Sequence, residues 1–433
     1  MAAVCTRVRI SAVMTACGAT GEDILRDRDW CGRGVAWRSA RADGRGTARA
    51  RCPSSAAVEA AFRRVPRHLF VPERPAGEVY GAPEGVFTKR NARGRPVSSV
   101  SAPWLHARML EAAQVAGGMS VLEVGSGGCN AALLAELVGG QGAVTTVDID
   151  PDITARARGL LDEAGYGQVR VREADGALPL PEAPARGFDR IMVTVGAADL
   201  SPAWLDQLAP EGRLVVPLRF RGLSRTIAFA REQDHLRSDT LIVSGFVAMQ
   251  GGSAHAPRVV RLAGHEVRLV VDEEQPADAG ALTAAFAGPR QEQWTGVELG
   301  GSEGLLPRLE VWLAGAVAPY GRLRATQTAA ERGLVGWVLD KGMPAVWDEN
   351  SLAYLTLRRV PQAAQERYEL GVIAHGPDRE SLAACLADAV RRFDREARGV
   401  GEPVMRAFRR DGQDSARPGD VTVDKPSVRL VIT

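Results

Sequence analysis

Between Met119 and Val247, short apolar runs alternate with helix-length stretches, and this alternation restricts the fold more than any other feature of the chain. The runs cover residues 120–124, 143–147, 169–171, 188–193, 213–216, 226–230 and 241–247. Each is too short for a helix and reads as a buried strand. Strands that alternate with helices build a mostly parallel sheet covered on both faces. The last two runs are joined only by residues 231–240, too few for a covering helix with its loops. They are therefore expected to pair as an antiparallel hairpin at one edge. The expected fold class is α/β: a Rossmann-like, doubly wound sheet closed by an antiparallel hairpin.

The first run leads directly into Gly125-Ser126-Gly127-Gly128 and then a helix beginning near Asn130. Glycine lets the backbone approach a ligand closely, and open α/β sheets bind ligands beyond the carboxyl ends of their strands. A tight strand-to-helix turn needs glycine in any case, so the turn alone decides little. Asp148 lies 23 residues after Gly125, at the end of the second run, where a carboxylate can accept both hydroxyls of an adenosine ribose. Asp175-Gly176, beyond the third run, can place an acceptor beside an adenine amino group, although this dipeptide is also an ordinary turn. A dehydrogenase shares this geometry. However, Asn130 stands where the last glycine of a G-x-G-x-x-G turn would be, which disfavours a pyrophosphate. A methyl donor carries no phosphate and needs a close backbone plus an acidic residue such as Glu123 to favour its amino group and sulfonium.

Two upstream segments make the reading specific. Val65-Pro66-Arg67-His68-Leu69-Phe70-Val71-Pro72 and Ser99-Val100-Ser101-Ala102-Pro103-Trp104-Leu105-His106-Ala107 resemble, in order, the early signature and the substrate and cofactor segment of the protein-L-isoaspartate (D-aspartate) O-methyltransferases. The resemblance runs from about Val58 to Gln250. It implies S-adenosyl-L-methionine as cofactor and a carboxyl O-methyltransferase as enzyme. By the same resemblance Ser101, with Ser99, is the catalytic position. Val100, His106, Ser126, Asp148, Ile149, Asp175 and Gly176 then surround the cofactor beside Glu123, Gly125 and Gly127. Ser-Val-Ser replaces the family's usual Thr-Ile-Ser, and Cys129-Asn130 replaces an aromatic or aliphatic pair. Read without the resemblance, Ser101 is equally a helix cap ahead of Pro103, His106 a structural histidine, and Trp104 either groove or core.

Few catalytic groups are required. A carboxylate with a pKa of ~4 is already ionised at neutral pH, so no base must remove a proton before attack. Charged residues make up 24% of the chain and the formal net charge is +2, which gives no electrostatic case for a nucleic-acid partner. No run approaches the ~20 apolar residues of a membrane-spanning helix. The six cysteines, at 5, 17, 31, 52, 129 and 385, form no CxxC pair and no histidine stands at ligand spacing, so no metal site is expected. A cytoplasmic location is expected, against a faint signal-like pattern formed by Arg7, Arg9 and the apolar residues 10–16.

Residues 1–53, rich in arginine between positions 26 and 51, read as a disordered leader. Residues 54–252 form the expected methyltransferase domain. Residues 264–433 form an α+β extension expected to recognise a peptide or pair two subunits, with strands at 353–357, 368–373, 404–408 and 428–432 around a helix at 378–398. The extension, with Gln250-Gly251-Gly252, Trp294-Thr295-Gly296 and Ala353-Tyr354-Leu355-Thr356-Leu357, resembles FxLD-type methyltransferases of actinobacterial peptide biosynthesis. That implies a ribosomally made, lanthipeptide-like precursor whose aspartate is esterified and driven to succinimide and isoaspartate. The alternatives are general isoaspartate repair and a non-catalytic peptide-binding scaffold.

Overall fold

A computed structural model describes residues 55–81, 84–300, 306–339, 341–361, 366–412 and 420–433. The expectations for residues 1–53 lie outside these. The chain enters through helix α1 (Ala56–Arg64), whose Val58, Ala61 and Phe62 are buried at helical spacing. It continues through the short helix α2 (Ala76–Gly81) into a hairpin of β1 (Val86–Arg90) and β2 (Pro96–Val100). Residues 91–96 read as irregular in the sequence, yet they turn this hairpin. The Asn91 side chain accepts from the backbone N–H of both Arg93 and Arg95, the usual reason for asparagine at a turn. Helix α3 (Pro103–Ala113) follows, with Pro103 in its first turn as expected.

The central sheet confirms the doubly wound class. Strands β3 (Ser120–Val124), β4 (Ala143–Asp148), β5 (Arg170–Glu173), β6 (Phe188–Val193) and β7 (Leu208–Phe220) are parallel in the order β5-β4-β3-β6-β7. Helices α4 (Cys129–Val138), α5 (Pro151–Glu163) and α6 (Pro202–Gln207) make the crossovers. Strands β8 (Leu223–Glu232) and β9 (His235–Val243) then turn back antiparallel, as their short link requires.

The hairpin is not an edge, however. After a second, seven-stranded sheet the chain returns, and β17 (Met405–Arg409) pairs with β9, followed outward by β19 (Val428–Ile432) and β18 (Val421–Asp424). The exposed N–H and C=O groups of an edge strand are thereby satisfied within the chain. The second sheet comprises β10 (Arg258–Ala263), β11 (Val267–Val271), β12 (Arg290–Gly300), β13 (Tyr320–Ala325), β14 (Met343–Trp347), β15 (Leu352–Arg359) and β16 (Arg367–His375), all antiparallel. Helix α7 (Ala279–Ala287) packs on it. Helix α8 (Leu306–Ala316), the short α9 (Gln327–Glu331) and α10 (Arg379–Arg392) complete the extension. The helix expected at 378–398 ends in a π turn at Phe393–Ala397.

One apolar core runs through both parts. It joins Ile191, Leu214 and Phe229 of the first sheet to Leu309, Leu355 and Leu386 of the extension, and to Leu430 of the returning strands. Residues 54–252 and 264–433 are thus divisions along the chain that share a sheet and a core. At the seam, Glu310 is buried between Arg225 and Arg322, at 2.6 and 2.8 Å.

Candidate active site

The carboxyl ends of β3, β4 and β5 bring five of the predicted residues, Gly125, Asp148, Ile149, Asp175 and Gly176, into one cleft together with Val97, Val195, Met249 and Gln250. Gly125 has φ +101°, and a Cβ there would lie 2.6 Å from Thr194 Oγ1, so the turn after β3 admits only glycine. The Ser126 N–H donates to Asp148 Oδ2 and the Asp150 N–H to Oδ1, each at 3.0 Å. Burial raises the Asp148 carboxyl above its ordinary pKa, against these two bonds. Ile149 leaves 39% of its surface exposed at the cleft wall. Asp175 Oδ1 accepts from the Ala177 N–H at 2.9 Å, and Trp204 Nε1 donates to the Gly176 carbonyl at 2.7 Å, which fixes the turn after β5.

The segment Gln250-Gly251-Gly252 lies across the mouth. The Gly252 N–H donates to Asp175 Oδ2 at 3.0 Å, and a Cβ on Gly251, at φ +88°, would approach the same oxygen to 2.4 Å. Beneath this strap the cleft measures about 30 Å³ and stays open to solvent.

Strand β2 flanks the cleft through Val97 and packs its end on the glycine turn. The Ser99 carbonyl oxygen stands 3.5 Å from where a Cβ on Gly127 would be. Val100 is buried in the core behind it, so its side chain serves packing. Ser101 is buried, and its hydroxyl makes no hydrogen bond among the described residues, while its carbonyl accepts from Arg67 Nη2 at 2.8 Å. The cap of α3 is Ala102, with no side-chain capping bond, so Ser101 does not cap this helix. His106 is buried one turn into α3 with Nδ1 unpartnered. Burial, then the nearby Arg67 charge, push its pKa down to about 3, so the imidazole is neutral.

Glu123 sits apart from the cleft wall. It is buried under the glycine turn, where Asn130 Nδ2 donates to Oε1 at 2.8 Å and Thr146 Oγ1 to Oε2 at 2.6 Å. Both residues of the Cys129-Asn130 departure from the family pattern have partners: Asn130 binds Glu123, and Cys129 Sγ faces Arg67 Nη1 at 3.9 Å. Sequence reasoning passed over Arg67 as one letter of a signature. A cation set among apolar neighbours in Val65 to Phe70 was the available signal, because a buried arginine must find acceptors.

The cleft fits a cationic nucleoside better than a dinucleotide. Among the described residues two carboxylates and no lysine or arginine line it, which favours a sulfonium over a pyrophosphate. Ser126 Oγ in the glycine turn and His106 Nδ1 on α3 are buried without partners among the described residues, and buried polar atoms of this kind call for a ligand or water. Doubly wound sheet, glycine turn and acidic strand ends together define a class I S-adenosylmethionine-dependent methyltransferase.

Comparison with known proteins narrows the class. The family model for protein-L-isoaspartate (D-aspartate) O-methyltransferase matches residues 47–254. Protein-L-isoaspartate O-methyltransferase 2 of Archaeoglobus fulgidus is 40% identical over 166 residues, covering 37% of this chain and 70% of that protein. The protein-L-isoaspartate O-methyltransferase of Gloeobacter violaceus is 41% identical over 170 residues, covering 37% and 74%. A solved protein-L-isoaspartate O-methyltransferase structure aligns over 81% of this chain and 92% of its own, with TM-score 0.44 and 19% identity. The chain belongs to the protein-L-isoaspartate (D-aspartate) O-methyltransferase family.

Proposed function

We propose that the enzyme methylates an aspartyl or isoaspartyl carboxylate in a dedicated, ribosomally made precursor peptide of lanthipeptide type. The observation that carries the chemistry is the unspent hydroxyl of Ser101, which directly follows Ser99 and Val100, the two residues that pack on Gly127 of the glycine turn. S-adenosylmethionine, when bound, supplies a methyl group activated by its sulfonium. Asp148 would accept the ribose hydroxyls, Asp175 would face the base, and Ser126 would hydrogen-bond the amino-acid end. Val100 and Gly127 would support this site as backbone, and Glu123 would hold the glycine turn from beneath.

The acceptor carboxylate arrives ionised, so the protein's task is alignment and exclusion of water, which can contribute ~7 to 11 kcal/mol. Ser101 would donate to one carboxylate oxygen and leave the other free to attack. Neutral His106 adds no positive charge to repel the sulfonium. In the resulting methyl ester, the next backbone nitrogen attacks the ester carbon, expels methanol and closes a succinimide. Water then reopens the ring to aspartate or isoaspartate.

Support for a dedicated peptide comes from the extension, which completes the catalytic sheet through β17 on β9. General repair of isoaspartyl proteins is the second reading, favoured by a family match that ends at residue 254. Purified enzyme given a modified precursor and unrelated isoaspartyl peptides separates the two. Clear preference for the precursor supports the dedicated role, and equal rates refute it.

A further inference from the structure

Beside the cofactor cleft lies a second cavity, of about 660 Å³, between the catalytic sheet and the extension. The two share a wall. Val195 lines the cleft, and Ala198, three residues on, lines the cavity. In the facing segment Met249 and Gln250 line the cleft while Gly245 and Phe246 line the cavity. The segments are joined backbone to backbone: the Gly196 N–H donates to the Val247 carbonyl at 2.7 Å and the Met249 N–H to the Gly196 carbonyl at 3.1 Å. Three residues separate the Cα atoms of Val195 and Ala198 by at most ~11 Å. An extended peptide crosses that distance in about three to four residues.

The far wall is built by the extension. There Lys425 is shared between Asp272 and Glu274, at 3.2 and 3.3 Å. Glu273 pairs with His255, at 3.4 Å. Arg219 donates to the His255 carbonyl, and neither it nor Arg324 has a carboxylate within ion-pair distance among the described residues. Guanidiniums without a carboxylate at ion-pair distance among the described residues, beside carboxylates on mainly apolar walls, suit a polypeptide, with its alternating donors, acceptors and mixed side chains. The carboxylates oppose a nucleic acid.

We propose that this cavity binds the acceptor polypeptide on one side of the modified aspartate, and that the extension thereby selects the substrate. The proposal rests on the peptide-carboxyl reading given above. Its probe is Gly245, a cavity-wall position where a Cβ would meet no atom within 4 Å, so Gly245→Trp sets a large side chain on that wall from an uncrowded backbone position. Binding of fluorescein-labelled isoaspartyl peptides is measured by anisotropy with S-adenosylhomocysteine present, next to ester formation. One peptide carries about two residues on each side of the isoaspartate and the other about seven. The wild-type protein binds the longer peptide at least tenfold more tightly, and Gly245→Trp removes that advantage while leaving the short peptide and S-adenosylhomocysteine unaffected (about tenfold being 1.4 kcal/mol). Equal binding of both peptides by the wild type, or an undiminished advantage in the variant, overturns the proposal. So does a variant whose sole change is the splitting of a dimer. Peptide binding sensitive to Gly245→Trp without any ester leaves the cavity assigned and refutes the methylation reading.

Discussion

Arg67 Nη2 donates a 2.8 Å hydrogen bond to the carbonyl oxygen of Ser101, tying the early signature segment to the strand end that faces the cofactor cleft. The same guanidinium donates through Nε to the Val79 carbonyl at 3.2 Å. Both carbonyls are served by one planar fork, which a lysine cannot reproduce. Replacing Arg67 with Ala leaves the two acceptors without their donor, so stability falls by roughly 2–4 kcal/mol. Urea denaturation measures this, and Arg67→Lys recovers only part of it.

Ser101→Ala separates catalysis from structure. Because the hydroxyl bonds to nothing in the described protein, its removal changes stability by less than about 0.5 kcal/mol. Loss of the bond that aims the acceptor lowers kcat roughly ten- to a hundredfold, with cofactor affinity unchanged. Initial rates and calorimetric binding report the two effects separately. A variant that unfolds early yet turns over normally would assign Ser101 a structural role.

Glu123 gives the fold a pH dependence. Burial pushes its pKa from an ordinary 4.5 up to about 7, although bonds from Thr146 and Asn130 pull it down. The folded state therefore holds a proton that the unfolded chain has released between about pH 4.5 and 7. Across that window the contribution of Glu123 to stability falls as pH rises, by an order of ~3 kcal/mol, and it is constant above. Glu123→Gln keeps a neutral side chain, and its amide can face the unpartnered Asn130 Oδ1. The variant equals the wild type near pH 4.5 and is the more stable protein above pH 7. Unfolding curves at a series of pH values test this.

Glu310 neutralises one of two buried arginines from different sheets, Arg225 and Arg322. Glu310→Ala leaves both cations buried without their carboxylate, and stability drops by about 3–5 kcal/mol. The loss should appear as one cooperative transition, because the apolar core is continuous across the seam. For the same reason a chain ending at Gly252 exposes β9 and half of that core, and it is expected to aggregate rather than bind cofactor.

Much of the catalytic half was legible because its signals are local. Seven apolar runs became seven strands, and the glycine turn, Asp148 and Asp175 met at adjacent strand ends. The position of Glu123 in a strand does not by itself reveal that Asn130 and Thr146 bond its two oxygens. The strap over Asp175 and the Arg67 bond to Ser101 join residues 77 and 34 positions apart, which no periodicity reports. In the extension, glycines and prolines masked β10 to β14, although Arg261, Leu262, Arg268 and Leu269 alternate as a half-buried hairpin should. The return of β17 to β9 depends on pairing across more than 160 residues and left no local trace.

Carboxyl methylation itself is tested most directly by incubating the full chain with methyl-labelled S-adenosylmethionine and an isoaspartyl peptide. Label should enter the peptide and leave as methanol in mild base, the behaviour of a methyl ester, and this transfer should collapse in Ser101→Ala. Absence of transfer, or label that withstands base as an N- or S-methyl group would, contradicts the account.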